Sequence, residues 1–159
     1  LEDPKLELIV DDGIKYVNEA ADGTFDLVIV DSTDPVGPAE GLFTVEFYQQ
    51  VHRILSDDGI MITQSESPRF NEKVFKEIYQ TYRGIFGQSN VHCYLAYIPT
   101  YPTGMWSFSY SSKGKVDPLR LSNEEKAEEF IKSAKLKYYN PQLHRSAFAL
   151  PNFVKEMIG

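Results

Sequence analysis

Apolar and polar positions fall in blocks along this chain, and the length and spacing of the blocks predict its elements. Residues 6–10, with Leu6, Leu8, Ile9 and Val10, read as a short strand, and residues 13–21 as a short helix. Residues 25–30 predict a second strand, and its unbroken run Leu27, Val28, Ile29, Val30 is the pattern of a strand buried on both faces. Phe43, Phe47, Val51 and Ile54 then recur at helical spacing, which predicts a helix over 44–55. Asp57, Asp58 and Gly59 read as a turn into a third strand at 60–63. Asn71 is the expected N-cap of the next helix, with Val74, Ile78, Tyr82 and Ile85 on its buried face. Residues 91–98 and 105–111 follow as consecutive strands around a Pro-, Thr- and Gly-rich turn, the pattern of an antiparallel hairpin. Ser122 with Glu125 reads as a capping box ahead of Ala127, Phe130, Ile131 and Ala134, and Pro151 as the opening of a last short helix.

Strand–helix repeats that end in a hairpin define an α/β fold with one sheet, mostly parallel, carrying an antiparallel edge. The 159 residues suit a single domain, without repeats or a low-complexity linker. In such sheets ligands lie outside the carboxyl ends of the strands. The positions to inspect are therefore those after Val10, Val30 and Thr63, and all three are polar.

Composition narrows the function classes. At 42% hydrophobic and 25% charged residues, the chain can bury a core. No apolar run approaches the roughly 18 residues of a membrane span, and the first residues lack a signal peptide's pattern, so no membrane partner is expected. The single cysteine, Cys93, excludes an internal disulfide and suits a reducing, cytoplasmic setting. A net charge of −7 argues against nucleic acid. It fits either ordinary solubility or small cationic substrates. His52, His92 and His144 lack metal-ligand spacing, so no metal is expected. Gly37 and Gly41 are not followed by the Lys-Ser/Thr of a phosphate loop, and no nucleophile elbow is present. The chain starts at Leu1 rather than Met, so a fragment or a processed product is expected.

Three polar segments carry candidate chemistry. Asp12 with Gly13 follows the first predicted strand. It is either a helix cap or an adenine contact, with Gly13 letting a ring approach the backbone. Asp31, Ser32, Thr33, Asp34 and Pro35 follow the second strand and lead into Val36, Gly37, Pro38, Ala39, Glu40 and Gly41. A connection this long and this rich in Pro and Gly suits a functional, gate-like loop. Two acids three residues apart at a strand's carboxyl end can hold an ammonium and accept a proton from an amine. Gln64 follows the third strand and is either a neutral partner for a ligand amine or a solvated amide. Tyr101 and Trp106, in and after the hairpin turn, either wall an alkyl-amine groove or pack at the sheet edge.

These motifs resemble a known family. The run from Asp31 to Ala39, followed by Leu42 and Phe43, is similar to the active-site loop of spermidine synthases. Ile98, Pro99, Thr100, Tyr101, Pro102, Thr103 and Gly104 resemble a second signature of that family, and Ala147, Phe148, Ala149, Leu150 and Pro151 the tail of bacterial-type members. The likeness runs through essentially the whole chain. It implies a Rossmann-like, methyltransferase-type sheet of order 3-2-1-4-5-7-6. This chain would then be the C-terminal portion, 1–159, of the catalytic domain, without the N-terminal strand-rich domain and the first two sheet strands. The strand at 6–10 would be number 3 and that at 25–30 number 4, and these residues alone are expected to be unstable or inactive.

The implied reaction moves an aminopropyl group from decarboxylated S-adenosylmethionine, a co-substrate rather than a cofactor, onto putrescine. Residue by residue, Asp31 matches the catalytic base. Asp34 matches an acid that binds amines, and Ser32 and Thr33 line the same loop. Asp12, Gly13 and Pro38 match adenine contacts. Gln64 and Tyr101 match acceptor contacts, and Trp106 an apolar wall. A homo-oligomer, dimer or tetramer, is expected. The alternatives are agmatine or cadaverine as acceptor, a methyltransferase of the same fold, or a non-catalytic remnant that binds adenosine ligands.

Overall fold

A computed structural model gives the fold and describes residues 3–32, 41–101 and 104–159. The elements run α1 (Gly13–Glu19), β1 (Phe25–Val30), α2 (Val45–Ile54), β2 (Leu55–Gln64), α3 (Glu72–Phe86), β3 (Val91–Tyr97), β4 (Met105–Ser112), α4 (Glu124–Ser133), α5 (Pro141–Ala147) and α6 (Asn152–Ile158). The four strands form one sheet of order β1-β2-β4-β3. β1 and β2 are parallel, while β4 runs antiparallel to both β2 and β3. This is the α/β sheet with its antiparallel C-terminal hairpin, and its order matches the expected 4-5-7-6. Among the described strands the parallel part is the single β1–β2 pair.

Local chemistry sets the element ends. The Thr44 hydroxyl accepts the Phe47 N–H at 3.2 Å and caps α2, a contribution of about 1 kcal/mol. At the far end of α2, Arg53 donates to the Val17, Asn18 and Ala20 carbonyls and so closes the C-terminal turn of α1 against α2. β2 begins directly after α2, and residues 57–59 lie inside this strand rather than in a turn before it. The β1–β2 register slips there, from Phe25↔Leu55 to Leu27↔Ile60. Gly59 permits the slip, because a Cβ there would sit 2.8 Å from the Leu55 Cβ and 2.9 Å from the Ser56 oxygen.

One face of the sheet is covered by α2 and α3, and α6 packs against α3. Val51, Ile54, Leu55, Met61, Phe75, Tyr79, Tyr82 and Val154 form its core, each large side chain contributing about 1.5–3 kcal/mol by burial. The stripe that α3 buries is Phe75, Tyr79, Tyr82 and Phe86. Of the expected face only Tyr82 belongs to it, and Val74, Ile78 and Ile85 are half-buried, because the aromatic rows reach deeper into the sheet. Buried hydroxyls link these layers. Thr63 Oγ1 donates to the Tyr82 hydroxyl at 3.1 Å and lies 2.7 Å from Ser109 Oγ, and the Tyr79 hydroxyl donates to the Phe108 carbonyl at 3.1 Å. Burial pushes the Tyr48, Tyr79 and Tyr82 phenols up, and the Cys93 thiol up to about 12.

Three further expectations are corrected. Residues 6–10 belong to no strand. Leu8 and Val10 are 65% and 91% exposed, because no neighbouring strand among the described residues takes up their backbone groups. β1 is not buried on both faces: Val28 and Val30 pack on the core while Leu27 and Ile29 stand exposed on the other side. The cap of α4 is Asn123, whose Oδ1 accepts the Lys126 N–H, rather than Ser122, and α4 buries no residue. Asn71 is the N-cap of α3 as expected; it makes no side-chain cap bond, and its amide donates to Glu66 Oε2 at 2.9 Å.

Two outcomes follow from this packing. The 159-residue chain taken alone presents the open edge of β1 beside Leu27 and Ile29, an invitation to self-association. Sedimentation velocity should show mass rising with concentration, and Ile29→Lys should reduce it; a concentration-independent monomer would contradict the open edge. In the full-length protein, the buried thiol and phenols keep protons that the unfolded chain releases from about pH 9 to 10. Their stabilising effect is complete below that range and is lost as pH rises. The urea midpoint should therefore fall steadily above about pH 9, and a midpoint that rises there would contradict the assignment.

Candidate active site

The carboxyl ends of β1 and β2 lie side by side, with Val30 opposite Thr63 in the parallel register. One step further along each strand come Asp31 and Gln64. Ser32 and Gln64 line a small cleft at this point, together with Val30, Phe43, Tyr48 and Thr63. Asp31 is exposed and has no hydrogen bond or ion pair with another described residue. Thr33, Asp34 and Pro38 lie outside the described residues, as does most of the expected gate.

Gln64 is held from two directions. The Trp106 indole Nε1–H donates to its Oε1 at 2.8 Å, and the Glu66 backbone N–H donates to the same oxygen at 3.2 Å. Trp106 reaches it because β2 pairs Gln64 with Phe108, two residues along β4. The Tyr101 ring meets the Trp106 ring edge-on at 4.5 Å. Tyr101 is carried there by a closed turn in which the Ile98 N–H bonds the Gly104 carbonyl, and the Tyr101 N–H bonds the Ile98 carbonyl. Gly104 adopts φ 64°, the left-handed region that favours glycine. The structure thus gathers Gln64, Tyr101 and Trp106 into one cluster, with Ser32 on the pocket that Gln64 lines and Asp31 one step past Val30 at the same end of the sheet.

Glu66 was not singled out from the sequence. It is buried, with φ 69° in the left-handed region that non-glycine residues seldom adopt. Its carboxylate accepts from Asn71, and its carbonyl accepts from both the Ser107 N–H and the Ser107 hydroxyl. This kink directs the Glu66 N–H back onto Gln64. An acid two residues past a strand carries no pattern that announces such a conformation.

Asp12 and Gly13 stand apart from this cluster, at the start of α1. Asp12 Oδ1 accepts the Ile14 and Lys15 N–H groups at 2.9 and 3.2 Å. The helix-cap reading thus holds, and both bonds use one oxygen, leaving Oδ2 as an acceptor. A Cβ at Gly13 would meet nothing within 4 Å. Gly13 lines a cleft of about 310 Å³ with Glu7, Leu8, Ile9, Asp11 and Tyr16. A second cleft of about 380 Å³ lies on the sheet face opposite α3, among Tyr94, Tyr110, Tyr138 and Phe148. His144 lines it with both ring nitrogens engaged, by Pro118 O at 2.6 Å and the Tyr139 hydroxyl at 3.3 Å. Among the described residues no three His, Cys, Asp or Glu side chains converge as a metal-binding set, and no helix is long and apolar enough to cross a membrane.

The fold and this site define an α/β protein with polar side chains gathered at the carboxyl ends of its strands. Comparison with known proteins narrows the class. The profile of the spermine/spermidine synthase domain matches residues 1–120, and the chain belongs to that family. It is 45% identical over 158 residues to a polyamine aminopropyltransferase of Caldicellulosiruptor saccharolyticus, covering 99% of this chain and 54% of that protein. A polyamine aminopropyltransferase of Clostridioides difficile is 46% identical, with 99% and 55% covered. Among solved structures, a spermidine synthase in complex with the transition-state analogue AdoDATO superposes with a TM-score of 0.89 at 40% identity, over 99% of this chain and 52% of that one. Spermidine synthase from Thermotoga maritima superposes with a TM-score of 0.86, also at 40% identity, over 99% and 51%. The chain thus spans about half the length of the curated relatives it matches.

Proposed function

We propose that this chain carries the amine-side chemistry of an aminopropyltransferase that moves an aminopropyl group from decarboxylated S-adenosylmethionine onto putrescine. The observation that carries the reading is the Gln64–Trp106–Tyr101 cluster at the end of the sheet where Asp31, without a partner among the described residues, follows Val30, in a chain of this family.

In this reading an uncharged primary amine attacks the aminopropyl carbon next to the sulfonium. The new C–N bond forms as the C–S bond breaks, methylthioadenosine leaves, and Asp31 takes the proton released from the nitrogen. A sulfonium is already a good leaving group, so alignment and deprotonation are what the protein supplies. Asp34 and the loop residues Ser32 and Thr33 complete the amine pocket. Asp12 Oδ2 accepts from the adenine amino group over Gly13, with Pro38 against the ring. The aromatic pair covers the alkyl chain of the acceptor and lies near its cation. Because the chain is about half as long as its relatives, the donor's remaining contacts fall to the rest of the full-length protein.

The test is release of methylthioadenosine by the full-length protein, with putrescine, cadaverine and agmatine offered separately. Asp31→Asn keeps the size of the side chain and removes the base. Turnover with putrescine that drops by about 10²–10⁴-fold in the variant is expected. Release of methylthioadenosine at an unchanged rate would remove Asp31 from the chemistry. No release with any amine would remove the aminopropyl reading itself.

A further inference from the structure

The polarity of Gln64 is fixed, and this decides which form of the amine it can meet. An amide oxygen has two lone pairs. Both are taken here, by the Trp106 indole N–H and the Glu66 N–H. Turning the amide over would set its amino group against two N–H donors, so the observed orientation is the only one these neighbours allow. Trp106 stands on β4, and β2 lies between β4 and β1. With its oxygen held by these two donors, the amide has its amino group left for another partner, and Ser32, just past β1, lines the same pocket.

Resting on the functional reading above, we propose that Trp106 is a positioning residue that makes Gln64 a hydrogen-bond donor to the acceptor's attacking nitrogen. The site thereby selects the uncharged amine. An uncharged amine accepts the Gln64 N–H with its lone pair while donating its own hydrogens to Asp31. An ammonium is a donor only, and it would meet the Gln64 N–H groups with its own. The lone pair leaves this hydrogen bond as it turns to the reacting carbon. This gives a direction to the role of Gln64 as a neutral partner for a ligand amine.

Glu66 complements Trp106 from the other side, because its left-handed backbone aims a second N–H at the same oxygen. Trp106→Phe keeps an aromatic wall but removes one of the two donors, which frees the amide to turn. Gln64→Glu keeps the shape and, at neutral pH, has no N–H to offer.

The experiment measures putrescine kcat/KM and KM between pH 7 and pH 9.5 in the full-length protein, alongside putrescine binding by calorimetry, for wild type, W106F, Q64E, Q64A and W106F/Q64A. Wild-type KM should fall as pH rises and the amine loses its charge, and W106F should flatten this dependence while lowering kcat/KM about tenfold, the scale of one lost hydrogen bond. Q64E should lose at least as much despite its added negative charge. W106F should add nothing further in the Q64A background, since it acts through Gln64. The proposal is overturned if W106F scales KM equally at every pH and adds fully to Q64A, or if Q64E binds putrescine as well as wild type or better. Wild-type protein that neither binds nor turns over any amine would overturn this inference together with the functional reading. Normal wild-type turnover with additive variants would overturn the inference alone.

Discussion

β2 is hydrogen-bonded on both sides, parallel to β1 and antiparallel to β4, and its two registers decide what meets at its carboxyl end. On one side Val30 opposite Thr63 delivers Asp31 and Ser32 next to Gln64. On the other, Gln64 opposite Phe108 brings Trp106 within 2.8 Å of the Gln64 oxygen. A slip of one residue in either ladder would turn Gln64 to the opposite face and separate these groups. Slippage is opposed from the helical side by hydroxyls that only one register can satisfy. Thr63 meets Tyr82 and Ser109 at once, and the Ser107 hydroxyl donates to both the Ser65 and the Glu66 carbonyl. Buried groups of this kind are costly when left unpaired, so the core that stabilises the sheet also sets its register and thereby the site.

The outline of this arrangement was legible in the chain. Strand β1 spans the residues 25–30 that its pattern predicts, and the hairpin and the polar residues after Val30 and Thr63 stand where spacing placed them. Such features depend on neighbours along the sequence. Residues 6–10 show the limit. Their composition is that of a strand, but a strand needs a partner, and none among the described residues supplies one. Leu27 and Ile29 show it again, since a continuous apolar run records a tendency to be covered on both faces without naming what covers them.

Candidate residues were legible in the chain, but the bonds that hold them were not. Asp12 could be a cap or a ligand contact, and the structure shows a cap that leaves one oxygen unspent. Trp106 was read for its ring, while its N–H is what fixes Gln64, through a contact 42 residues away in sequence. Glu66 gave no signal, because its backbone conformation is imposed by Ser107 and Asn71 rather than by its own side-chain preference. Family membership supplies the chemical setting for these residues, and geometry supplies the direction in which each one points.

The central claim is that the amine nitrogen is held between the Asp31 carboxylate and the Gln64 amino group. The most direct measurement is a crystal structure of the full-length protein with putrescine and methylthioadenosine. The account predicts one amine nitrogen within about 3 Å of both groups, with the alkyl chain along Tyr101 and Trp106. An amine seated instead in the aromatic cleft by Tyr138, or a Gln64 amide turned with its oxygen toward the nitrogen, would contradict it.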